Sequence, residues 1–417
     1  MARVLLLVPS ATYRARDFLD AARALGVEVV VGTEEAGALR GLMGSRALEV
    51  PLDDPGEAAG VIVAQDDRTP LDAVIAVDDV GTVVAARASA RLGLRHNPPD
   101  AVATARDKLA LRARLAAFEV PQPAFAPLAP GAGPEEVAAA VGTVGLPCVI
   151  KPTSLAGSQG VLRADTPGEA VAVAQRVRRI ATRAGVDPGA PLLVERFAPG
   201  PEVAVEGLVV SGEVRVLAVF DKPDPLDGPA FEETIYVTPS RLGPGDLAAV
   251  LSATAAAAAA LGLVEGPVHA EVRVHDGRAV VIEVAARTIG GLCSRALSFS
   301  TGRSLEELVI AHALGLPVGD TEAVGASGVL MIPIPRAGRL VAVNGQDQAS
   351  AVPGVTDIQI TMAPGRAVAP VPEGNRYLGF VFARDRTPDR VERALRRAWA
   401  CLDVQIEDDG APEAHTP

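Results

Sequence analysis

Residues 269–291 read HAEVRVHDGRAVVIEVAARTIGG. The stretch divides into two runs of alternating character around Asp276-Gly277, a dipeptide suited to a tight hairpin turn. Side chains two apart on a strand share a face. The first run therefore presents His269 and Glu271 together, and the second presents Glu283, Ala285 and Arg287. If the turn pairs the strands, two carboxylates, an imidazole and a guanidinium occupy one side of a hairpin. Carboxylates so placed repel unless a cation stands between them, and paired acidic oxygens are ligands that Mg²⁺ favours. A surface hairpin with a solvated charged face is the competing reading. Other stretches of the chain weigh against it.

Of the 39 basic residues, only Lys108, Lys151 and Lys222 are lysine, and the rest are arginine. A lysine kept against that bias marks a place for a compact point charge rather than a planar fork, such as a phosphate oxygen. Upstream of the hairpin, apolar spacing predicts a helix over 107–118, closed by Pro121 and Pro123. Lys108 falls in its first turn, where the helix dipole disfavours a cation. A salt bridge with Asp107 is one resolution, and an outward reach to an anion is the other. Further on, 148–150 is a strand that leads into Lys151-Pro152, and the proline keeps Lys151 extended. The Gly/Ser loop TSLAGSQG follows, with backbone amides suited to phosphate oxygens. It is not a Walker A loop, because the lysine precedes the glycines and GxxxxGK[ST] is absent.

Between this loop and the hairpin, a helix over 166–184 precedes a strand at 192–196. A turn APGP, flanked by Glu195 and Glu202, then leads to two strands meeting at Ser211-Gly212. The segment DKPDPLDGPAFEETIYVTPS reads as a long Pro/Gly/Asp-rich loop. A helix over 246–261 leads into the hairpin, and a Gly/Ser-rich connection after it leads to a helix at 305–314. Toward the N-terminus, strand–helix alternation up to about residue 96 implies a small parallel α/β domain. Its first turn lacks GxGxxG, so no NAD site is expected there. Asp78 and Asp79 end a strand, at a ligand edge or, more simply, as caps of the next helix. From about Gly325, short strands and turns end in an amphipathic helix at 388–401, and the last residues, EDDGAPEAHTP, read as a disordered tail.

Composition bounds the rest. A chain of 417 residues implies two or three domains. Three cysteines without CxxC spacing imply free thiols in a reducing compartment and argue against a zinc site. The opening apolar run is only about five residues before Pro9 and reads as a buried strand, not a signal peptide. No run approaches the roughly 18 apolar residues of a membrane helix; the Ala-rich stretch 253–261 is too short and reads as a packed helix. A net charge of −12 makes nucleic acid an unexpected partner.

These motifs together resemble the ATP-grasp superfamily, and within it the carboxylate–amine ligases related to bacterial L-amino acid ligases and carnosine synthase. The resemblance covers residues 1–320 in order and the remainder more loosely. It implies a three-part ATP-grasp architecture of α/β and α+β class. The parts are an N-terminal parallel α/β domain over 1–96, a central ATP-grasp domain over 97–320 with a mobile lid at about 120–200, and a C-terminal α+β domain over 321–417. Arg106-Asp107-Lys108 matches the family's RDK, which implies that Lys108 contacts ATP phosphates. Lys151 with the loop carrying Ser158 and Gly160 matches the lid motif. ERFAPGPE resembles the hinge, with Glu195, Phe197 and their backbone at the adenine and Glu202 at the ribose hydroxyls. The family's metal motif, Glu…Glu-x-Asn-x-Arg, reads here Glu271…Glu283-Val-Ala285-Ala-Arg287. Ala285 thus replaces a metal-binding Asn.

The implied reaction joins a small amino-acid-like carboxylate to an amine through an acyl phosphate, with release of ADP and phosphate. ATP and Mg²⁺ are the implied cofactors, with Mn²⁺ as the alternative ion. Arg287 and Lys151 act on the transferring group, and backbone at Gly290 and Gly291 approaches it. Glu233 recognises an ammonium group and Lys222 faces phosphate. His269 either deprotonates the amine or, equally, ties the hairpin as a buried histidine. A cytoplasmic homodimer, independent of nucleic acid and membrane, is the family expectation. An ATP-grasp carboxylase or purine-pathway ligase shares the same ATP residues, and a non-catalytic ATP-binding regulator would be supported by the missing Asn alone.

Overall fold

The computed structural model describes residues 1–408 apart from 11, 298, 300, 301 and 323. The tail at 409–417, and the disorder expected of it, lies outside the described residues. The chain forms two compact units, each assembled from separated segments: 1–122, 202–220 and 242–324 in the first, and 123–201, 221–241 and 325–417 in the second.

The first unit opens with a four-stranded parallel sheet in the order Ala47–Glu49, Glu28–Thr33, Arg3–Leu7, Ala73–Ala76. Strand Arg3–Leu7 sits inside it with Val4, Leu5, Leu6 and Leu7 fully buried, as a continuous apolar run in a parallel sheet requires. Helices Ala15–Ala24, Pro55–Asp66 and Thr82–Leu92 follow their strands where the alternation places them. Strand Ala47–Glu49 and helices Gly37–Met43 and Pro99–Arg106 escape the sequence reading, because three to eight residues show too little periodicity.

The same unit carries antiparallel strands in the order Arg278–Ala285, Glu265–His275, Glu202–Val210, Glu213–Asp221. The hairpin is the one expected. Asp276 (φ 49°) and Gly277 (φ 73°) both take the left-handed conformation of a type I′ turn, whose twist suits paired strands. Two helices pack on this sheet, Lys108–Ala117 and Pro244–Leu261. Leu111, Leu115, Val250, Ala257 and Leu261 join Val272 and Val281 of the hairpin in one core. Each fully buried Val or Leu contributes about 1.5–3 kcal/mol. Pro244–Leu261 is longer than expected. At 18 residues it is long and apolar enough to cross a membrane by length and composition alone, yet one of its faces lies in this core, and alanines bring its backbone close to the sheet. It ends at Gly262, whose φ of 78° makes the left-handed C-cap that glycine adopts without strain.

The second unit has a four-stranded antiparallel sheet in the order Phe125–Leu128, Leu192–Arg196, Cys148–Pro152, Leu162–Ala164. Helices Pro134–Val144 and Pro167–Arg183 cover it through Val137, Val141, Ala170, Ala174 and Val177. A second set of antiparallel strands runs Ile235–Thr238, Ala326–Ile332, Gly379–Asp385, Val355–Ile360, packed by helix Pro388–Cys401. Strand Ile235–Thr238 corrects the reading of 221–240 as one loop. Its β-branched and aromatic residues, all buried, were masked by the Pro/Gly-rich run before them. The three cysteines are free, and burial pushes the Cys148 thiol up to about 11, so it is inert at neutral pH.

Candidate active site

In the first unit the hairpin places Glu271 directly opposite Glu283. The register shifts immediately beyond this pair, so that Val272 faces Val281 and Ile282 is the extra residue of a bulge. The carbonyls at the bulge are held by Arg112, which is 1% exposed and donates to Val281 O at 3.1 Å and Ile282 O at 2.6 Å. A buried guanidinium inside helix Lys108–Ala117 thereby fixes where Glu283 points. Sequence reasoning missed it, since 170 residues separate it from Ile282.

Around the two carboxylates stand cations. Lys108 Nζ lies 3.5 Å from Glu283 Oε2. The adjacent Asp107 caps the helix, its carboxylate accepting from Ala110 N at 2.8 Å. His269 donates from Nδ1 to Glu206 Oε1 at 2.5 Å, and its Nε2 is 3.6 Å from Glu271. Burial alone would lower the imidazole's pKa, but Glu206 and Glu271 outweigh it and raise it to about 9. The bond to Glu206 on the neighbouring strand suits the hairpin-tying role of His269. Glu206, fully buried, has its Oε2 without a hydrogen-bond partner among the described residues. Glu202 pairs with Arg273 at 2.8 Å, both buried.

Arg287 lies just past the end of strand Arg278–Ala285, not on it. Its Nη1 donates to Thr288 O at 2.9 Å, and its Nε is 3.4 Å from Asp79 Oδ1. Burial acts to lower its pKa, but Asp79, Glu283, Asp78 and Glu206 raise it, so the charge is secure. Asp79 in turn is partly buried yet held below the usual carboxylate range by Arg287 and Arg106, the latter at 2.9 Å. Capping is thus only half of what the aspartate pair does. Asp78 accepts from Asp79 N at 2.8 Å as a cap, while Asp79 orients Arg287. Of the two glycines beyond, Gly291 has φ 64° and needs to be glycine. A Cβ at Gly290 would meet nothing within 4 Å.

In the second unit, Lys151 and Glu195 form a buried ion pair at 2.8 Å across adjacent strands. Phe197 continues from Glu195, its ring 6.4 Å from that of Phe231 and 4.4 Å from the Arg163 guanidinium. Lys222 is ion-paired with Glu233 and lies 5.2 Å from the Tyr236 ring centroid. Gly157, Ser158 and Gly160 all take positive φ, a strained choice for Ser158. The Gly160 amide is not open to a phosphate in this arrangement. It donates to Pro372 O at 2.9 Å, and Gln159 reaches Glu373 O at 2.9 Å. This clasp by 372–373 had no signal in the sequence.

Three family models match the chain: ATP-grasp N-terminal domain over 19–96, ATP-grasp domain over 144–296, and L-amino acid ligase C-terminal domain 2 over 330–407. The chain belongs to the ATP-grasp superfamily. Within that superfamily it is 29% identical to an alanine–anticapsin ligase of Bacillus amyloliquefaciens, over 56% of this chain and 52% of that protein. The aligned part therefore spans about half the length of that ligase. A protein called y4rH from Sinorhizobium fredii is 25% identical over all of this chain and 86% of its own. The fold matches that of an L-amino acid ligase from Bacillus licheniformis with a TM-score of 0.78 at 23% identity, covering 98% of this chain and 99% of the other.

ATP-grasp proteins use ATP and divalent metal ions, and the hairpin fits such an ion. Glu271 and Glu283 face each other in register and supply hard oxygen donors from one side. Ala285, 5% exposed, supplies none. The donor set is thus smaller than the family pattern by one side-chain oxygen.

Proposed function

We propose that this protein is an ATP-dependent, ADP-forming carboxylate–amine ligase that joins small amino-acid-like substrates. The observation that carries the reading is the hairpin cluster, in which Glu271 and Glu283 are paired in register with Lys108 and an oriented, permanently charged Arg287. The names of its relatives and the C-terminal domain of L-amino acid ligase type support the same reaction class.

In this reading a substrate carboxylate oxygen bonds to the γ-phosphorus of ATP as the bond to the β–γ bridging oxygen breaks, which gives an acyl phosphate and ADP. The amine nitrogen then attacks the acyl carbon, the carbon–oxygen bond to phosphate breaks, and the departing phosphate takes the amine's proton. Mg²⁺ on Glu271 and Glu283, when bound, neutralises charge on the phosphates. Lys108 and Lys151 do the same as point charges, and positioning with charge neutralisation is most of what phosphoryl transfer requires. Arg287, aimed by Asp79, holds the substrate carboxylate and then the acyl phosphate. Glu195, Phe197 and Glu202 recognise the nucleoside, Ser158 the phosphates, Lys222 and Glu233 the phosphate and ammonium groups, and Gly290-Gly291 the acyl group. A cytoplasmic homodimer completes the proposal.

The test is an ADP and orthophosphate assay over pairs of amino acids with ATP and Mg²⁺. Both products appear only when carboxylate and amine are supplied together. Stoichiometric AMP and pyrophosphate would overturn the acyl-phosphate route.

A further inference from the structure

Within the first unit a cavity of about 100 Å³ lies between the parallel sheet, helix Thr82–Leu92, helix Leu305–Ala313 and the first residues of the hairpin strand Glu265–His275. Its floor is apolar and short-chained, formed among others by Ala76, Ala85, Val102, Ala286 and Val309. Arg95, Glu265 and His312 also line it. Arg95 Nη1 is 3.2 Å from Glu265 Oε2, with the arginine side chain 45% and the glutamate 19% exposed. Such a pair is weak and readily re-partnered. His312, 5% exposed, has its Nε2 2.9 Å from Glu265 Oε2 and 3.1 Å from Gly266 N, and so closes the inner side of the same glutamate. The lining therefore presents one cation and one anion side by side, with the His312 imidazole against the anion.

Close-packed interiors leave few voids larger than a water. Here five of the lining residues, Ala76, Ala85, Ala86, Ala286 and Ala313, are alanines where larger apolar residues would close the gap. A ligand that matches both features has an aliphatic side chain of three or four carbons and a zwitterionic head. From the charge pair in the lining and the apolar floor, we infer that this cavity binds a small aliphatic amino acid, with its carboxylate on Arg95, its ammonium on Glu265 and its side chain on the alanine floor. The cavity is distinct from the hairpin cluster but backs onto it. Ala286 precedes Arg287 in the chain, and Ala76 stands three residues before Asp79, so an occupant bears on the two segments that hold Asp79 against Arg287. The binding argument is independent of the proposed ligase reading; only an effect on turnover would depend on it.

The experiment is isothermal titration of the full chain with L-valine, without ATP, for the parent, Arg287→Ala, Arg95→Glu and Ala313→Leu. The parent and Arg287→Ala bind L-valine. Arg95→Glu, a change at a half-exposed position, weakens that site at least about tenfold, as loss of a charged hydrogen bond does. Ala313→Leu, which fills the cavity, removes it. Should Ala313→Leu fail to fold, Arg95→Glu still decides. Parent-like affinity in Arg95→Glu, or no L-valine binding by the parent, would overturn the inference. ADP release measured in parallel separates the two readings. An Arg95→Glu protein that turns over normally yet has lost valine sustains both, and a parent that binds valine at Arg95 yet releases no ADP sustains only the cavity.

Discussion

Two lysine–glutamate pairs, one in each unit, are built from the same residue types and set differently. Lys108 and Glu283 stand 3.5 Å apart with side chains 11% and 25% exposed, whereas Lys151 and Glu195 are 2.8 Å apart at 5% and 4%. The first pair is loose and sits among other carboxylates, so its lysine contributes charge without holding the fold. The second is desolvated on both sides, and its attraction must offset a large desolvation cost. Of the two lysines proposed to meet phosphate, Lys151 thus also serves the fold. Lys222 with Glu233 repeats the theme, so each lysine of the chain faces a glutamate.

The difference predicts how each lysine fails. Lys151→Ala leaves Glu195 buried without its cation, and breaking a buried pair costs about 3–5 kcal/mol. Turnover and thermal stability should both collapse. Lys108→Ala should lose turnover while melting within a few degrees of the parent. Equal losses of stability in the two variants would erase the distinction. Lys151→Arg should regain stability before activity, because a planar fork replaces the counter-charge but not the compact ammonium. Full activity in that variant would show that a point charge is not what the site needs.

The hairpin gives the next largest effect. Glu283→Gln keeps shape and hydrogen bonding but removes charge where phosphate charge accumulates, and losses of that kind are on the order of 10²–10³-fold in rate. Glu271→Gln should cost less, since Glu283 faces Lys108 at 3.5 Å and also supports the charge on Arg287. The measurement is kcat against Mg²⁺ for both variants, with melting temperature as control. Parent-like rates in both would remove the metal from this hairpin.

What was legible in the sequence follows from range. The hairpin turn, its alternation and the Glu271/Glu283 pairing depend on neighbours within about twenty residues, and local pattern reports those well. The strand–helix alternation of the first ninety residues was legible for the same reason. Arg112 clasping the bulge, Asp79 aiming Arg287 and Pro372 accepting from Gly160 each join residues some 170 to 212 apart, and no local period marks them. Lys108 was legible as out of place at a helix start, but a bridge to Asp107 and an outward reach to an anion both stayed open, because Glu283 lies far along the chain and no local period marks it. His269 stayed ambiguous until Glu206 appeared on the neighbouring strand, directly across from it in register.

The smallest effect concerns the missing oxygen donor. Ala285 sits two residues beyond Glu283 on the same strand and opposite His269, and it is 5% exposed. An asparagine there would add a carbonyl oxygen on the carboxylate-bearing face, next to the imidazole. Enlarging a packed position costs about 1–3 kcal/mol, so Ala285→Asn should melt lower than the parent. If the hairpin holds the metal, the added oxygen should offset part of that loss when Mg²⁺ is present and shift half-maximal activation to a few-fold lower Mg²⁺. The two effects have opposite signs, so melting curves with and without Mg²⁺ separate them. A folded Ala285→Asn protein whose Mg²⁺ titration and Mg²⁺-dependent stabilisation both match the parent would mean that the fourth position of this motif plays no part in holding the ion. The family pattern would then be the wrong guide to this hairpin.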